Sequence, residues 1–425
     1  MSARKSASYI SLYYASLDIK RGLVLLVAWF ASPFISRCKA ESNLIEAVRA
    51  ELGGGDVFAY ASARGALAAA LSAAGVGKDD EVVLSGFTCL AVPTAVVAIG
   101  AKPVYVDINL QSLNVDPELV IAALGAKVRA VVLQHTMGNL AEVSEVIDVA
   151  RKRGILVIED CALATGSRRQ GCPVGIDADA AIFSMELSKT ISAGWGGILA
   201  VQSPGLAKLV EKKYRKLPDR GILNIARDAW QIAITSLWLD RRVFSLGRYF
   251  YAIAIKFGLF RSSTPSRELS GKPAGDFIAR MGVAQIVLAT HQWHRLSEIR
   301  SISGGHVRVL QSALHSASLQ LVGVTLPGNE SVSPRVCFLV EDHKRTAAWF
   351  RDRKVEIGRW FDGPLSPPPN ADVFAYAPEL LPNALRIAKR VVNLPSHCGM
   401  TSQDCNRLVE LIHDYAASHP SDRLD

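Results

Sequence analysis

Three residues near the middle of the chain have the types and spacing to do chemistry together: Asp160, Ser184 and Lys189. Asp160 follows the apolar run 155–158 and Glu159, where a short buried strand should end. Ser184 closes a second apolar run, 180–183, and Lys189 comes five residues later. A Gly-rich piece, 194–197, then turns the chain into a third run, 198–201. An acid, a hydroxyl and an amine are thereby expected just beyond parallel strand ends, where open α/β sheets bind ligands.

Pyridoxal phosphate needs this set. A lysine amine forms a Schiff base with the aldehyde. A carboxylate facing the ring nitrogen keeps it protonated, because a nearby negative charge favours the cationic form. The protonated ring then draws electrons from the substrate carbon. A hydroxyl and backbone N–H groups hold the phosphate. Lys189, Asp160 and Ser184 are assigned to these roles, with Lys189 and Asp160 as the catalytic pair. Ala162 lies two residues past Asp160, so an extended backbone points it the same way, with its methyl under the ring. Each residue has a plainer reading when taken singly: a strand-end Asp caps a turn, and a Lys after Ser is solvated. Their joint order argues for chemistry.

The elements that must position these residues follow a strand–helix alternation. Helical stretches are expected at 42–51, 64–74, 90–99, 117–124 and 143–153, and strands at 81–84, 103–107, 130–134 and 155–158. This pattern implies a mostly parallel, doubly wound sheet with helices on both faces. Ser62 opens a helix directly after an apolar run, so Ser62, Ala63 and Arg64 would offer N–H groups and a positive dipole end to a phosphate. An ordinary Ser N-cap explains the same residues. Arg64 either adds charge there or sits on the surface. His135, at the end of the fourth strand, is aimed toward the site or is a satisfied core histidine.

The order of motifs resembles the DegT/DnrJ/StrS aminotransferases, which act on nucleotide-linked keto sugars. The resemblance is carried by Ser62-Ala63-Arg64-Gly65-Ala66-Leu67, Asp79-Asp80-Glu81-Val82, Phe87-Thr88-Cys89, Gly100 to Asp107, Glu159 to Ala162, Phe183 to Lys189 and Leu394-Pro395. It implies a fold-type-I pyridoxal-phosphate enzyme with a large α/β domain, a small C-terminal α+β domain and a homodimer. It also implies glutamate as amino donor, a nucleotide-linked keto sugar as acceptor, and a place in glycan precursor synthesis. Cys89 stands where the family has an aromatic ring on the cofactor, Leu163 replaces a Gln, and Trp195 replaces an acid in the Gly-rich loop. The family's N-Y-R-M reads Ile278-Ala279-Arg280-Met281 here, so the Asn reaching across the dimer is gone while Arg280 remains. Relatives with His in place of the lysine are dehydratases; Lys189 favours transamination. The departures keep two alternatives open. One is another pyridoxal-phosphate activity, a dehydration or a non-nucleotide substrate. The other is an inactive, membrane-associated homologue in a polysaccharide-assembly complex.

The chain has 425 residues, enough for two or three domains. The boundaries read are an N-terminal apolar and basic extension at 1–40, a large cofactor-binding domain at 41–278 with an insertion at 222–262, and a linking helix with a small domain at 279–425. A formal net charge of +9 suits an anionic partner, but no motif favours nucleic acid. Seven cysteines without CxxC spacing argue against disulfides and zinc and fit a cytoplasmic location. His291 and His294 are read as surface or packing residues, not metal ligands.

Two stretches stay ambiguous. Residues 22–36 are apolar with basic flanks: a core or dimer helix, an interfacial membrane segment, or a span or signal. Residues 222–260 interleave aromatics such as Trp230, Trp238 and Phe250 with Arg227, Arg241, Arg242, Arg248 and Lys256. A lid, an intersubunit contact and a peripheral membrane surface at the inner face of the cell membrane all fit. One long helix is expected over 279–300, strands at 335–340 and 355–358, and a final helix over 402–416. Arg359, which could bind a carboxylate, and Trp360 are placed with His135, Trp195 and Arg280 as candidate substrate residues.

Overall fold

The computed structural model describes residues 8–12, 19–238, 244–273, 276–324, 326–359 and 363–424. A seven-stranded sheet runs in the order Asp56–Tyr60, Gly197–Val201, Ala180–Ser184, Leu156–Asp160, Val128–Gln134, Glu81–Ser85, Lys102–Val106. Gly197–Val201 alone is reversed, antiparallel to both neighbours, and the remaining pairings are parallel. Both faces are covered, which explains why these strands read as continuous apolar runs rather than alternating ones. Ile158, Ile182 and Leu199 pack under the helices Ala63–Ala73, Ala91–Val97 and Pro204–Tyr214. Val131 and Val157 face the helix Ser144–Lys152 on the other side, while Phe183 and Ile198 face Arg37–Leu52 and Val283–His294.

The helix Ala63–Ala73 is rich in alanine and almost wholly buried, so it lies close to the sheet. Ser62 caps it, its Oγ accepting from the Gly65 N–H at 3.1 Å. Gly197 makes the approach feasible: a Cβ there would stand 2.2 Å from the Ala63 nitrogen. The start of the reversed strand and the start of this helix are therefore held against each other.

Beyond the sheet the linking region differs from the expected single helix. Residues 279–281 are extended and pair with the edge strand, Ala61 N–H donating to Ala279 O and Met281 N–H to Ala59 O. Two helices follow, Val283–His294 and Leu296–Ser316, with Arg295 at φ −89°, ψ 0° between them. The turn lets Trp293, Leu296 and Ile299 enter the same core. The smaller α+β unit has an antiparallel sheet of Leu321–Val322, Arg335–Leu339 and Val391–Pro395, backed by the helices His343–Asp352 and Ser402–Ser418. The strand expected at 355–358 is instead two single bridges, Val355 with Ile10 and Gly358 with Asn393. Residues 8–12 thus belong to this unit rather than to a separate extension. Ile10 N–H donates to Lys354 O at 3.0 Å, and Ile10 O accepts from Glu356 N–H at 2.9 Å.

Candidate active site

Asp160 ends its strand, and Ser184 ends the parallel neighbour two residues beyond the Asp160–Ile182 pairing. After Ser184 the chain makes a compact turn. Glu186 accepts from the Ser188 N–H at 2.9 Å and from its hydroxyl at 2.6 Å. Lys189 N–H donates to Glu186 O at 3.1 Å. The Gly-rich loop returns alongside: Met185 N–H donates to Gly196 O, and Ala193 N–H to Met185 O, both at 3.0 Å. Trp195 is held by Gln285, whose Nε2 donates to Trp195 O at 3.1 Å, and by the Arg261 guanidinium 4.7 Å above its ring.

These residues open onto one cleft of about 920 Å³ between the sheet and the smaller unit. Ser62, Ala63, Arg64, Cys89, Asp160, Ala162, Ser184, Lys189, Trp195 and Arg359 all line it. Cys89 is placed by a parallel pairing of Thr88–Cys89 with Leu365–Ser366. Arg64 reaches past the helix start to pair with Glu268, so its charge is already partly met. Asp160 Oδ1 accepts from Ala162 N–H at 2.9 Å, while Oδ2 accepts no hydrogen bond from the described residues. Burial pushes the Asp160 carboxyl up, against the pull of the Ala162 N–H and the Lys189 charge.

Two candidates lie elsewhere. His135 does not line the cleft: its Nε2 is 3.0 Å from Glu159 Oε2, and its Nδ1 accepts from Ala141 N–H at 3.0 Å. Both side chains are fully buried. His135 is thus the satisfied core histidine of the two readings, not a substrate residue, because the acid that captures it sits on the face opposite Asp160. His135, Glu159 and Cys161 bring ligand atoms within 4.8 Å of one another, but both histidine nitrogens are occupied, one by Glu159 and one by Ala141. Arg280 is likewise turned away, paired with Asp219 at 2.8 Å, because residues 279–281 are bound to the edge strand. Trp360 lies outside the described residues, as do Arg241 and Arg242.

Other cleft residues went unnoticed in the sequence. Tyr9 and Leu12 come from the N-terminal segment, and Arg335, Lys344 and Arg351 from the smaller unit. Tyr251, Arg261, Ser263 and Thr264 come from the 222–262 insertion and the two residues after it, so part of this region does wall the site. Only the aromatic and basic composition of the insertion hinted at this. Seven basic side chains (Arg64, Lys189, Arg261, Arg335, Lys344, Arg351, Arg359) face three acids (Asp160, Glu186, Glu356) across the cleft.

Comparison with known proteins agrees with this architecture. The sequence model of the DegT/DnrJ/EryC1/StrS aminotransferase family matches residues 26–237 and 256–413. Protein MosB of Rhizobium meliloti is 41% identical over 157 residues, 37% of this chain and 31% of that protein. The L-glutamine:2-deoxy-scyllo-inosose aminotransferase of Streptomyces kanamyceticus is 39% identical over 150 residues, 35% of each. The chain thus spans about a third of the length of the curated relatives it matches. Among solved structures, the aminotransferase TlmJ of Streptoalloteichus hindustanus superposes with a TM-score of 0.72 at 21% identity, covering 96% of this chain and 99% of that one. A putative sugar aminotransferase of Streptococcus pneumoniae in its PLP form gives 0.71 at 16% identity, over 96% and 98%. These likenesses establish the fold as fold type I of the pyridoxal-phosphate enzymes. Since the family's sequence model runs through the sheet, the Asp160–Lys189 region and the smaller unit alike, this chain belongs to the DegT/DnrJ/EryC1/StrS aminotransferase family.

Proposed function

We propose that the cleft holds pyridoxal 5'-phosphate and that the chain is an aminotransferase whose acceptor is an anionic keto sugar, a nucleotide-linked one. The residues fit the cofactor on two counts. Asp160 is a buried carboxylate whose outer oxygen lacks a hydrogen bond from the described residues, so a protonated ring nitrogen there would relieve a real electrostatic cost. Gly197 brings the helix start at Ala63 to the same cleft, where N–H groups and a dipole end favour a phosphate. When bound, the group supplies an electron sink that makes a proton on the neighbouring amine-bearing carbon removable.

The chain's own side chains divide the remaining work. Lys189 Nζ would hold the cofactor's aldehyde and, when free, would serve as the general base and acid for proton movement. Asp160 would keep the ring nitrogen protonated. Ser62 and Ser184 offer hydroxyls to the phosphate, with the Ala63 and Arg64 N–H groups beside them. Ala162 and Cys89 supply small surfaces for the ring faces. Trp195, stacked under Arg261, closes the wall beside Lys189 and limits water.

The cationic surplus carries the substrate reading. Seven basic side chains against three acids give the cleft a net positive charge, and an acceptor bearing a diphosphate would suit it. An uncharged keto-inositol, the acceptor named for several relatives, would not. Glutamate is the proposed donor, with glutamine the competing one because those relatives are named for it. A homodimer completes the proposal.

Incubation with pyridoxal phosphate should give a visible absorbance band, and borohydride should fix the cofactor on the peptide containing Lys189. Lys189→Ala should lose both, with circular dichroism unchanged. Absence of the band and of the fixed peptide in the unaltered chain would remove the cofactor assignment. A panel of nucleotide-linked keto sugars and scyllo-inosose, assayed for amine product with glutamate and glutamine, then tests the acceptor and donor.

A further inference from the structure

The helix Ile222–Trp238 turns a mixed side inward, with Ala229 and Ile232 in the core beside buried polar groups, and an apolar stripe outward. Its inward side carries Asp228, Gln231, Thr235 and Ser236, all buried. Its outward side carries Leu223, Trp230 and Leu237, which are 82%, 50% and 53% exposed. Three of these four inward polar groups have partners: Asp228 pairs with Arg220, Gln231 exchanges two hydrogen bonds with the backbone of Arg261, and Ser236 bonds to Ile232 O at 2.7 Å, while Thr235 Oγ1 has none among the described residues. The buried polar groups therefore share the protein interior with Ala229, Ile232 and Ala233, and an apolar stripe is left facing outward. A helix with this arrangement is at home only where its outer surroundings are also apolar.

Its neighbours repeat the pattern. The helix Ile19–Ala31 packs on it, so closely that a Cβ at Gly22 would meet Ser236 Oγ at 2.7 Å. That helix buries Leu25 and Ala28, yet its other side, Leu23, Val27 and Phe30, is exposed and leads to Phe34, 90% exposed. The helix Phe244–Lys256 packs on the far side and exposes Leu246, Tyr249 and Phe250, with Phe257 and Leu259 just beyond it. Each of these three packed helices thus exposes an apolar stripe, and the helix Phe244–Lys256 lies, but for its last residue, outside the stretches matched by the family's sequence model. No described helix is long and apolar enough to cross a membrane.

Charge decides what covers this face. The helices Ile19–Ala31 and Phe244–Lys256 contain no acid, and the one acid of Ile222–Trp238 is the buried Asp228. Exposed Lys20, Arg227 and Lys256 accompany the apolar residues. A second copy of the same face would bring cation against cation, whereas a layer of anionic headgroups over acyl chains satisfies both components. Trp230 and Tyr249 are residue types that settle at that boundary. We propose that this three-helix face is a peripheral docking surface for an anionic lipid bilayer, lying in the headgroup region without spanning it. The proposal is independent of the cofactor and substrate assignments.

Co-sedimentation of the full chain with vesicles tests it. Vesicles of phosphatidylcholine with phosphatidylglycerol should carry the protein down at low salt, and pure phosphatidylcholine should carry down much less. Each Lys or Arg near an anionic surface is worth roughly fivefold in binding, so high salt should weaken partition at least about tenfold. Trp230→Ser with Phe257→Ser should reduce binding at least about tenfold while leaving the thermal midpoint and pyridoxal-phosphate loading unaltered, since neither residue lines the cleft. Leu23→Glu, on the other exposed helix, should do the same. Protein that stays in solution with anionic vesicles at low salt overturns the proposal. So does binding that these substitutions leave intact, or a concentration-dependent assembly of copies that the same substitutions dissolve.

Discussion

Glu159 and Asp160 are adjacent acids on one strand, and the fold places them in opposite surroundings. Ile158 and Asp160 face the side covered by Ala63–Ala73, where the cleft opens. Val157 and Glu159 face the other side, where His135 waits. Glu159 accepts from the Asp177 and Ala178 N–H groups as well as meeting His135. Burial would raise its carboxyl, but the His135 hydrogen bond, the Arg169 charge and the Ala178 N–H together hold it below the ordinary range. Burial wins at Asp160, where one N–H and the Lys189 charge are the main opposing influences. The same residue class, one position apart, is satisfied in one case and left needing a cation in the other. On the proposed function, that difference separates a structural acid from a functional one.

The sharpest way to break the comparison is to remove a partner on the structural side. His135→Leu leaves Glu159 charged and buried without its main partner, and orphans the Ala141 N–H. A loss of about 3–5 kcal/mol of stability is expected. The folded fraction should still load pyridoxal phosphate, because His135 does not line the cleft. Denaturant unfolding together with cofactor titration checks both halves; a stable variant that cannot bind cofactor would reverse the roles of the two acids.

Asp160→Asn tests the functional side. The amide cannot hold a pyridinium proton as a carboxylate does, so turnover should fall on the order of 10²-fold or more while cofactor still binds. Unchanged rates would make Asp160 a strand-end cap. Arg261→Met should act more weakly, raising acceptor KM several-fold through the loss of a cation from the cleft and of its stack on Trp195. A change confined to kcat would point instead to displacement of the Gly-rich loop.

Much of this contrast could be read from the sequence, for a local reason. Asp160, Ser184 and Lys189 follow short apolar runs, and a buried parallel strand must deliver its next polar residue at the ligand-binding edge. The Ser62 cap was similarly legible, because capping is a matter of three neighbouring residues. His135 obeys the same strand-end rule yet turns away, since the rule places a residue at an edge without choosing between two inward partners. The break at Arg295 carried no Gly or Pro to announce it; burial of Trp293 and Leu296 in one core imposes it. Tyr9, Arg335 and Arg351 reach the cleft only because the smaller unit folds over the sheet and recruits the N-terminal segment. Such residues are joined by tertiary packing, and no spacing in the chain records it. The outward apolar stripe of Ile222–Trp238 could not be recognised from composition either, because such a stripe has no stated direction until its neighbours are known.

The smallest effect expected is a difference of sign with pH in the cofactor-free chain. A carboxyl raised by folding binds protons more tightly in the native state, so it makes the chain more stable as pH falls through its folded pKa and less stable above it. Asp160 is of this kind. Glu159, lowered by folding, contributes stability that is present above its unfolded pKa and lost as pH falls through its folded one. Asp160→Asn should therefore raise the unfolding midpoint of the cofactor-free chain by a few degrees near neutral pH, and the gain should shrink as pH falls through the folded pKa of Asp160. Glu159→Gln should lower the midpoint near neutral pH, with the deficit shrinking in acid. Saturating pyridoxal phosphate should reverse the first result, because the ligand stabilises the chain with the carboxylate more than the chain with the amide. Thermal scans of three proteins at two pH values, with and without cofactor, decide it. Equal shifts for both substitutions would mean that the two acids share one environment, and the distinction between the two faces of the strand would fail.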